Sequence, residues 1–127
     1  MASCASIEDA AGVSKCVGEA LEPIEQFPDV AATGNYGCNN VASVTVSIVP
    51  QKLVEDRNGN EVWIDIGSAA GFTSFDVTDG EQVSVRQETF CENGTWQSKM
   101  TLSGKSENGE TLFGDRTSHS DEVNIRC

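Results

Sequence analysis

Three Asn-Gly steps constrain this chain more than any other feature: Asn58-Gly59, Asn93-Gly94 and Asn108-Gly109. Asn and Gly both tolerate positive φ, so the pair fits a two-residue type I′ turn whose twist matches the strands it joins. One such step suits any loop. Three of them, each flanked by strand-like sequence, predict antiparallel hairpins. The flanks carry the period of two that a half-buried strand requires. Val44, Val46 and Ile48 point one way, and Thr45 and Ser47 the other. Leu53 to Arg57 and Asn60 to Ile66 surround the first step, Val83 to Trp96 the second, and Met100 to Phe113 the third. Phe72 to Thr78 and Glu122 to Cys127 add further strands. The fold class expected is mainly β, an antiparallel sandwich or barrel of about eight strands.

The N-terminal part reads differently. Ile7, Ala10, Ala11, Ser14, Val17 and Leu21 recur at helical spacing, Ser6 suits the cap, and Pro23 is a stop. A helix is therefore expected over 6–24, followed by a linker over 25–40 with a turn at Gly34-Asn35-Tyr36-Gly37, and a β region over 41–127. At 127 residues the whole forms one domain by length.

Five cysteines, Cys4, Cys16, Cys38, Cys91 and Cys127, stand far apart, and none has the CxxC spacing of a zinc site. Long-range disulfides suit that spacing, and a bridge closing a loop of about 35–50 residues contributes about 3–4 kcal/mol in the chain-entropy account. Cys127 shares a strand face with Val123 and Ile125, and Cys91 shares parity with Val83 and Val85. Cys91–Cys127 is thus the first pairing expected, with Cys16–Cys38 the second, while Cys38–Cys127 stays open as an alternative. Cys4 is left free or joins two copies of the chain. The competing reading is five reduced, buried thiols. Disulfides place the protein outside the cell. Met1-Ala2-Ser3-Cys4 lacks a basic region and an apolar stretch, so the export signal is expected to lie outside this sequence. Asn93-Gly94-Thr95 is a glycosylation acceptor, with Asn93 the modified residue.

The formal charge is −12, and the 8 Lys and Arg are scattered along the sequence. Nucleic acid and anionic lipid are therefore poor partners on composition. No apolar run approaches the ~20 residues of a membrane helix, so no membrane insertion is expected. His119 is the single histidine, inside Arg116-Thr117-Ser118-His119-Ser120-Asp121. It reads as a solvated loop residue rather than a general base. Glycosidase chemistry needs two carboxyls about 5–9 Å apart, for which Glu61, Asp65 and Asp76 are the candidates. Trp63 shares a strand face with Asp65, an arrangement that suits sugar binding; an ordinary exposed strand face is the bland alternative. Trp96, on the row of Ser98, Met100 and Leu102, reads as buried or ligand-facing. The other aromatic residues, Phe72, Phe75, Phe90 and Phe113, read as core or cross-strand packing. Asp56, Asn58, Asn60 and Glu61 surround a turn, but Gly59 and Gly67 fall at the wrong positions for an EF-hand. A looser calcium loop through Asp56, Asp79, Glu81 or Asp121 ranks below no metal and no cofactor.

The segment Phe90-Cys91-Glu92-Asn93-Gly94-Thr95-Trp96 resembles the Cys-x-Asn-Gly-x-Trp step of complement-control repeats and of small nematode six-cysteine domains. The six-cysteine domains are the closer match. They share a Cys before a Val-rich strand (Cys38 before Val44-Thr45-Val46) and a final strand ending in Cys (Val123 to Cys127). The resemblance spans about the last 90 residues and implies an extracellular, disulfide-braced module. It brings no catalytic residue with it. The function expected is therefore a secreted, non-catalytic module that binds a protein or a glycan, with Trp63, Asp65 and Trp96 as candidate ligand-facing residues. A β-barrel carrier of a small apolar ligand is the second reading, and a glycan-directed hydrolase the third.

Overall fold

Alternation by two runs through the whole chain, including the part that reads as helical. The computed structural model describes residues 2–75 and 77–127. Among them are eleven strands and no helix: β1 (Cys4–Glu8), β2 (Lys15–Gln26), β3 (Asp29–Asn39), β4 (Val41–Glu55), β5 (Glu61–Asp65), β6 (Ala70–Ser74), β7 (Val83–Phe90), β8 (Gly94–Ser106), β9 (Phe113–Asp115), β10 (Thr117–His119) and β11 (Val123–Ile125).

Two antiparallel sheets result. The five-stranded sheet has the order β7-β3-β2-β1-β9. The six-stranded sheet is built on the long β4–β8 pair, which runs from Val41 opposite Ser106 to Lys52 opposite Trp96. β6 and then β5 pair along the other side of β4, and β10 and β11 along the other side of β8. The sheets face each other across one main core containing Ile7, Val44, Val46, Ile48, Met100 and Leu102. A smaller core holds Val30, Trp96 and Ile125.

The helix expected over 6–24 is replaced by a hairpin. β1 pairs with β2 around the turn from Asp9 to Ser14, where Gly12 has φ 71° and the Asp9 carboxylate accepts from the backbone N–H groups of Val13 and Ser14. The inward row is Ala5, Ile7, Cys16, Gly18 and Ala20, all buried. Apart from Ile7 those inward residues are small, while Val13, Val17 and Leu21 are apolar and exposed. The apolar pattern therefore mimics a helix although the burial pattern is that of strands. The linker expected over 25–40 is likewise mostly β3. Val30, Ala32, Gly34, Tyr36 and Cys38 point inward, in alternation with Ala31, Thr33, Asn35 and Gly37.

The glycines read as turn residues within β3 serve close approach instead. A Cβ on Gly34 would stand 2.9 Å from Met100 Sδ, and one on Gly18 2.6 Å from Met100 Cε. The backbones of β2 and β3 thus lie directly on the β8 side chains. Where β2 shifts register between Leu21 and Ile24, two backbone amides are satisfied from the opposite sheet. Ser118 Oγ accepts from Ala20 N at 2.8 Å, and Ser98 Oγ accepts from Thr33 N at 3.2 Å. Among the described residues every buried side-chain N or O has a hydrogen-bond partner, as a stable interior requires.

The Asn-Gly steps do two different jobs. Asn58-Gly59 and Asn108-Gly109 close hairpins, but not as type I′ turns, because neither Asn has positive φ. In the first, Gly59 N bonds Asp56 O and Asp56 N bonds Asn60 O; in the second, Gly109 N bonds Ser106 O and Ser106 N bonds Glu110 O. This is a type I turn followed by a left-handed Gly, the three-residue hairpin loop. The leading side chain supports both: Asp56 Oδ1 accepts from Asn58 N and Asn60 N, and Ser106 Oγ from Asn108 N and Glu110 N. Asn93-Gly94 instead carries the chain from β7 in one sheet to β8 in the other.

The sheets are joined along one side and do not close into a barrel. Phe113–Asp115 pairs with β1 and Thr117–His119 with β8, so one short run serves both sheets. On the other side the contact is a side chain, Gln87 Nε2 donating to Ser68 O at 2.9 Å. Cys16 bonds Cys38 directly across β2 and β3, and Cys91 bonds Cys127, linking the ends of β7 and β11 in opposite sheets. Cys4 is free and exposed. No helix among the described residues is long and apolar enough to cross a membrane.

Two expectations follow from this packing. A thiol reagent should label one cysteine in the unreduced protein, Cys4, and all five after reduction and unfolding. Met100→Ala should cost about 2–5 kcal/mol and Gly18→Ala about 1–3 kcal/mol by overpacking. Combined, they should cost less than the sum, because the new methyl enters the space Met100 vacates. Denaturant unfolding of the four proteins measures the coupling, and strict additivity would contradict the close approach.

Candidate functional site

The outer face of the six-stranded sheet gathers most of the residues that the strand pattern singles out. β5 is an edge strand on which Trp63 and Asp65 share one side. Register sets Asp65 opposite Gln51, and Gln51 opposite Gln97. The three form one row across β5, β4 and β8: Gln51 Nε2 donates to Asp65 Oδ1 at 2.8 Å, and Gln97 Nε2 donates to Gln51 Oε1 at 2.7 Å. Both glutamines are buried, whereas Asp65 is exposed and Trp63 half-buried. The amides thus hold the Asp65 carboxylate in place while solvent reaches it. A carboxylate accepts about four hydrogen bonds, so Asp65 retains acceptor capacity beyond the bond from Gln51.

From that row the face continues in hydroxyls. Thr73 pairs with Thr45 and Thr45 with Ser103; Ser47 pairs with Thr101 and Thr101 with Thr117. Thr45 Oγ1 and Thr73 Oγ1 share a hydrogen bond of 3.0 Å. Lys99 and His119 lie opposite each other between the hydroxyl rows and the amide row. His119, read as a loop residue, is in fact in β10 and half-buried. Burial and then the Lys99 ammonium pull its imidazole below the ordinary histidine range.

Trp96 does not belong to this face. It has no exposed surface, its Nε1 donates to Glu92 O at 2.9 Å, and it packs with Val30 and Ile125. It lies on the inward row with Met100 and Leu102, so its ligand-facing assignment is corrected. The phenylalanines expected in the core are outside it: Phe72, Phe75, Phe90 and Phe113 are exposed, as is Phe27. They stand at strand ends, turns and edges, where the sandwich has no second layer to cover them.

The acidic residues that read as ligands or catalysts are occupied or apart. Glu61 and Asp65 are four residues apart on one strand, about 13 Å, beyond the reach of a glycosidase pair. Asp76 lies outside the described residues. Asp56 serves its turn, Asp79 Oδ1 accepts from Asn40 N, and Asp121 Oδ1 accepts from Ala2 N. Among the described residues no three His, Cys, Asp or Glu side chains gather as a metal site. Asn93 Oδ1 accepts from Cys127 N at 2.7 Å, and Thr95 Oγ1 donates to Asn124 Oδ1 at 2.8 Å, so both ends of the Asn93-Gly94-Thr95 triplet are engaged by the C-terminal segment.

The five-stranded sheet offers a different surface. A hollow of about 280 Å³ lies over Gly37, bordered by Cys4, Lys15, Val17, Glu19, Asn35 and Gln82. Carboxylates from Glu8, Glu19, Glu22, Glu25, Asp29, Glu88 and Asp115 belong to its strands. Sequence reasoning found Trp63 and Asp65 by alternation but missed Gln51 and Gln97, because nothing local marks them; only register brings them beside Asp65. No protein-family model matches the chain, and no curated protein matches it either.

The histidine gives a pH dependence with a defined sign. Its pKa is lowered in the folded state, so the unfolded chain takes up a proton that the folded protein resists. The associated stability is fully present above the ordinary pKa of about 6.5 and is lost as pH falls below it. Melting temperatures measured from about pH 7.5 to about pH 5 should therefore fall more steeply for the native protein than for His119→Gln. Parallel curves would show that His119 does not titrate in this window.

Proposed function

We propose that this protein is a secreted, non-catalytic module that binds a glycan on the outer face of its six-stranded sheet. The observation that carries the reading is the Asp65–Gln51–Gln97 row beside Trp63. Sugar recognition needs a flat apolar surface for ring C–H groups and fixed polar groups for hydroxyls. Trp63 supplies the first, since an indole buries a large area with few rotatable bonds. The exposed Asp65 carboxylate supplies the second, held from beneath by Gln51 and Gln97 on strands rather than loops, so it is already oriented before a ligand arrives. The hydroxyl rows extend the polar surface along β4 and β8.

Three further observations support this reading over the alternatives. The two disulfides suit an oxidising compartment. The space a carrier needs between its sheets is occupied by Ile7, Ile48, Trp96, Met100 and Leu102, each fully buried. Glu61 and Asp65, which flank Trp63 on its strand, are too far apart for paired acid–base work.

Affinity electrophoresis against a panel of soluble polysaccharides tests the proposal. At least one should retard the native protein, and Trp63→Ala should weaken that binding about 30-fold, the loss typical of a central aromatic contact. Trp63 is half-exposed, so the variant should keep its melting profile. A panel that leaves the native protein unretarded, or a Trp63→Ala protein that binds as well as the native one, would overturn it.

A further inference from the structure

Acidic residues are absent from the central strands of the six-stranded sheet in a way that the net charge conceals. The sequence holds 20 Asp and Glu. Yet β6, β8 and β10 contain none, β4 contains none before its last residue, Glu55, and the acids of this sheet's remaining paired strands are Glu61 and Asp65 on the edge strand β5. The same strands carry Lys52, Lys99, Lys105 and His119. Lys52 is paired with Glu92 at 2.9 Å. Lys99 and Lys105 make no ion pair among the described residues, and they share the outward row of β8 with Thr101 and Ser103.

We propose that the ligand of this face is an acidic polysaccharide, an extended glycan bearing carboxylate or sulfate groups, held by Lys99 and Lys105 across the hydroxyl rows. This rests on the glycan-binding reading and narrows it to a chemical class. Two features of the geometry set the class. Lys99 and Lys105 are six residues apart on one strand, about 20 Å, so one ligand that meets both is a chain and not a single sugar. Between them lie neutral hydroxyls, which match sugar hydroxyls and repel no anion.

The net charge of −12 does not oppose such binding at physiological salt. The carboxylates of the five-stranded sheet lie a full sheet spacing away, about 10 Å plus side chains. Screening acts over about 8 Å at 0.15 M salt, so a ligand lying between Lys99 and Lys105 responds mainly to the groups it touches, and Glu61 and Asp65 lie across β4 on the edge strand β5. Nucleic acid is the less favoured polyanion. It needs a denser array of Lys and Arg along its phosphates and aromatic platforms for its bases, and this face offers two lysines and one half-buried tryptophan.

The test uses the intact protein and four polymers: polygalacturonate, dextran sulfate, uncharged hydroxyethyl cellulose and oligothymidylate. The expected result is binding to polygalacturonate, dextran sulfate or both, weakened as salt rises from 0.15 M to 0.5 M. Lys99→Gln and Lys105→Gln should each weaken that binding about threefold, and together about tenfold, as for exposed ion pairs. Lys15→Gln, on the other sheet, should bind as the native protein does. Trp63-dependent binding of hydroxyethyl cellulose without preference for the acidic polymers would overturn this inference and leave the glycan-binding reading standing. Binding to none of the four overturns the inference, and the wider polysaccharide panel then decides the glycan-binding reading separately. Oligothymidylate bound as tightly as the acidic glycans, or acidic binding unchanged in the double lysine variant, would also overturn it. Lys105 is exposed and Lys99 half-buried on the outward row, and a thermal melt confirms that each variant is folded.

Discussion

Met100 lies against bare backbone at Gly18 and Gly34, and the rest of the structure is arranged around that contact. Two sheets pack about 10 Å apart when side chains interdigitate from both sides. Here one side contributes almost no side chain at the centre, so β2 and β3 settle onto β8 with Met100 and Leu102 filling the space. The closeness brings Ser98 and Ser118 within reach of the Thr33 and Ala20 amides. That in turn permits the register shift in β2, which would otherwise bury unsatisfied donors at about 1–3 kcal/mol each. Packing, hydrogen bonding and the bend in β2 are therefore one solution rather than three.

The same contact explains which parts of the fold were legible in the sequence. Strand period is read from side-chain contrast, and contrast is strong in β4, where Val44, Val46 and Ile48 alternate with Thr45 and Ser47. It vanishes in β1 and β2, where inward positions other than Ile7 are Ala, Cys and Gly and outward ones include Val17 and Leu21. A pattern with small residues inside and apolar residues outside fits a helix template better than a strand template. Gly34 and Gly37 misled in the same way, since a glycine required by tertiary contact is locally identical to one required by a turn. The Asn-Gly steps predicted chain reversal correctly at Asn58 and Asn108. At Asn93 the chain changes sheet, which no property of the two residues distinguishes. Face parity gave access to the Cys91–Cys127 pairing, whereas Cys16–Cys38, expected to tie a helix to the sheet, instead joins two neighbouring strands.

The candidate site was half legible. Trp63 and Asp65 stand two apart on one strand, and that spacing alone puts them on one face. Trp96 was placed with Met100 and Leu102 by the same rule, but parity does not say which face is the core; burial does. Gln51 and Gln97 became visible only through register, which depends on how two hairpins align. The absence of carboxylates from 41–54 and 94–106 was, by contrast, plain in the sequence. Its meaning emerged only when β4 and β8 proved to be neighbours, so that two neutral stretches far apart in sequence form one surface.

That absence separates two uses of acidity. Several aspartates serve the fold directly: Asp9, Asp56, Asp79 and Asp121 each accept from backbone amides at turns or strand ends. Such contacts are charge-assisted and therefore stronger than neutral ones. Much of the remaining acid lies on or beside the five-stranded sheet, where it supports solubility. The central strands of the six-stranded sheet are excluded from both roles. Net charge averages over these regions and so describes neither; at contact distance the relevant quantity is the charge within one screening length of the ligand. Between Lys99 and Lys105 the strands present hydroxyls and no carboxylate, while Glu61 and Asp65 stay on the edge strand β5; composition therefore ruled against anionic partners, and the arrangement of the strands argues for one.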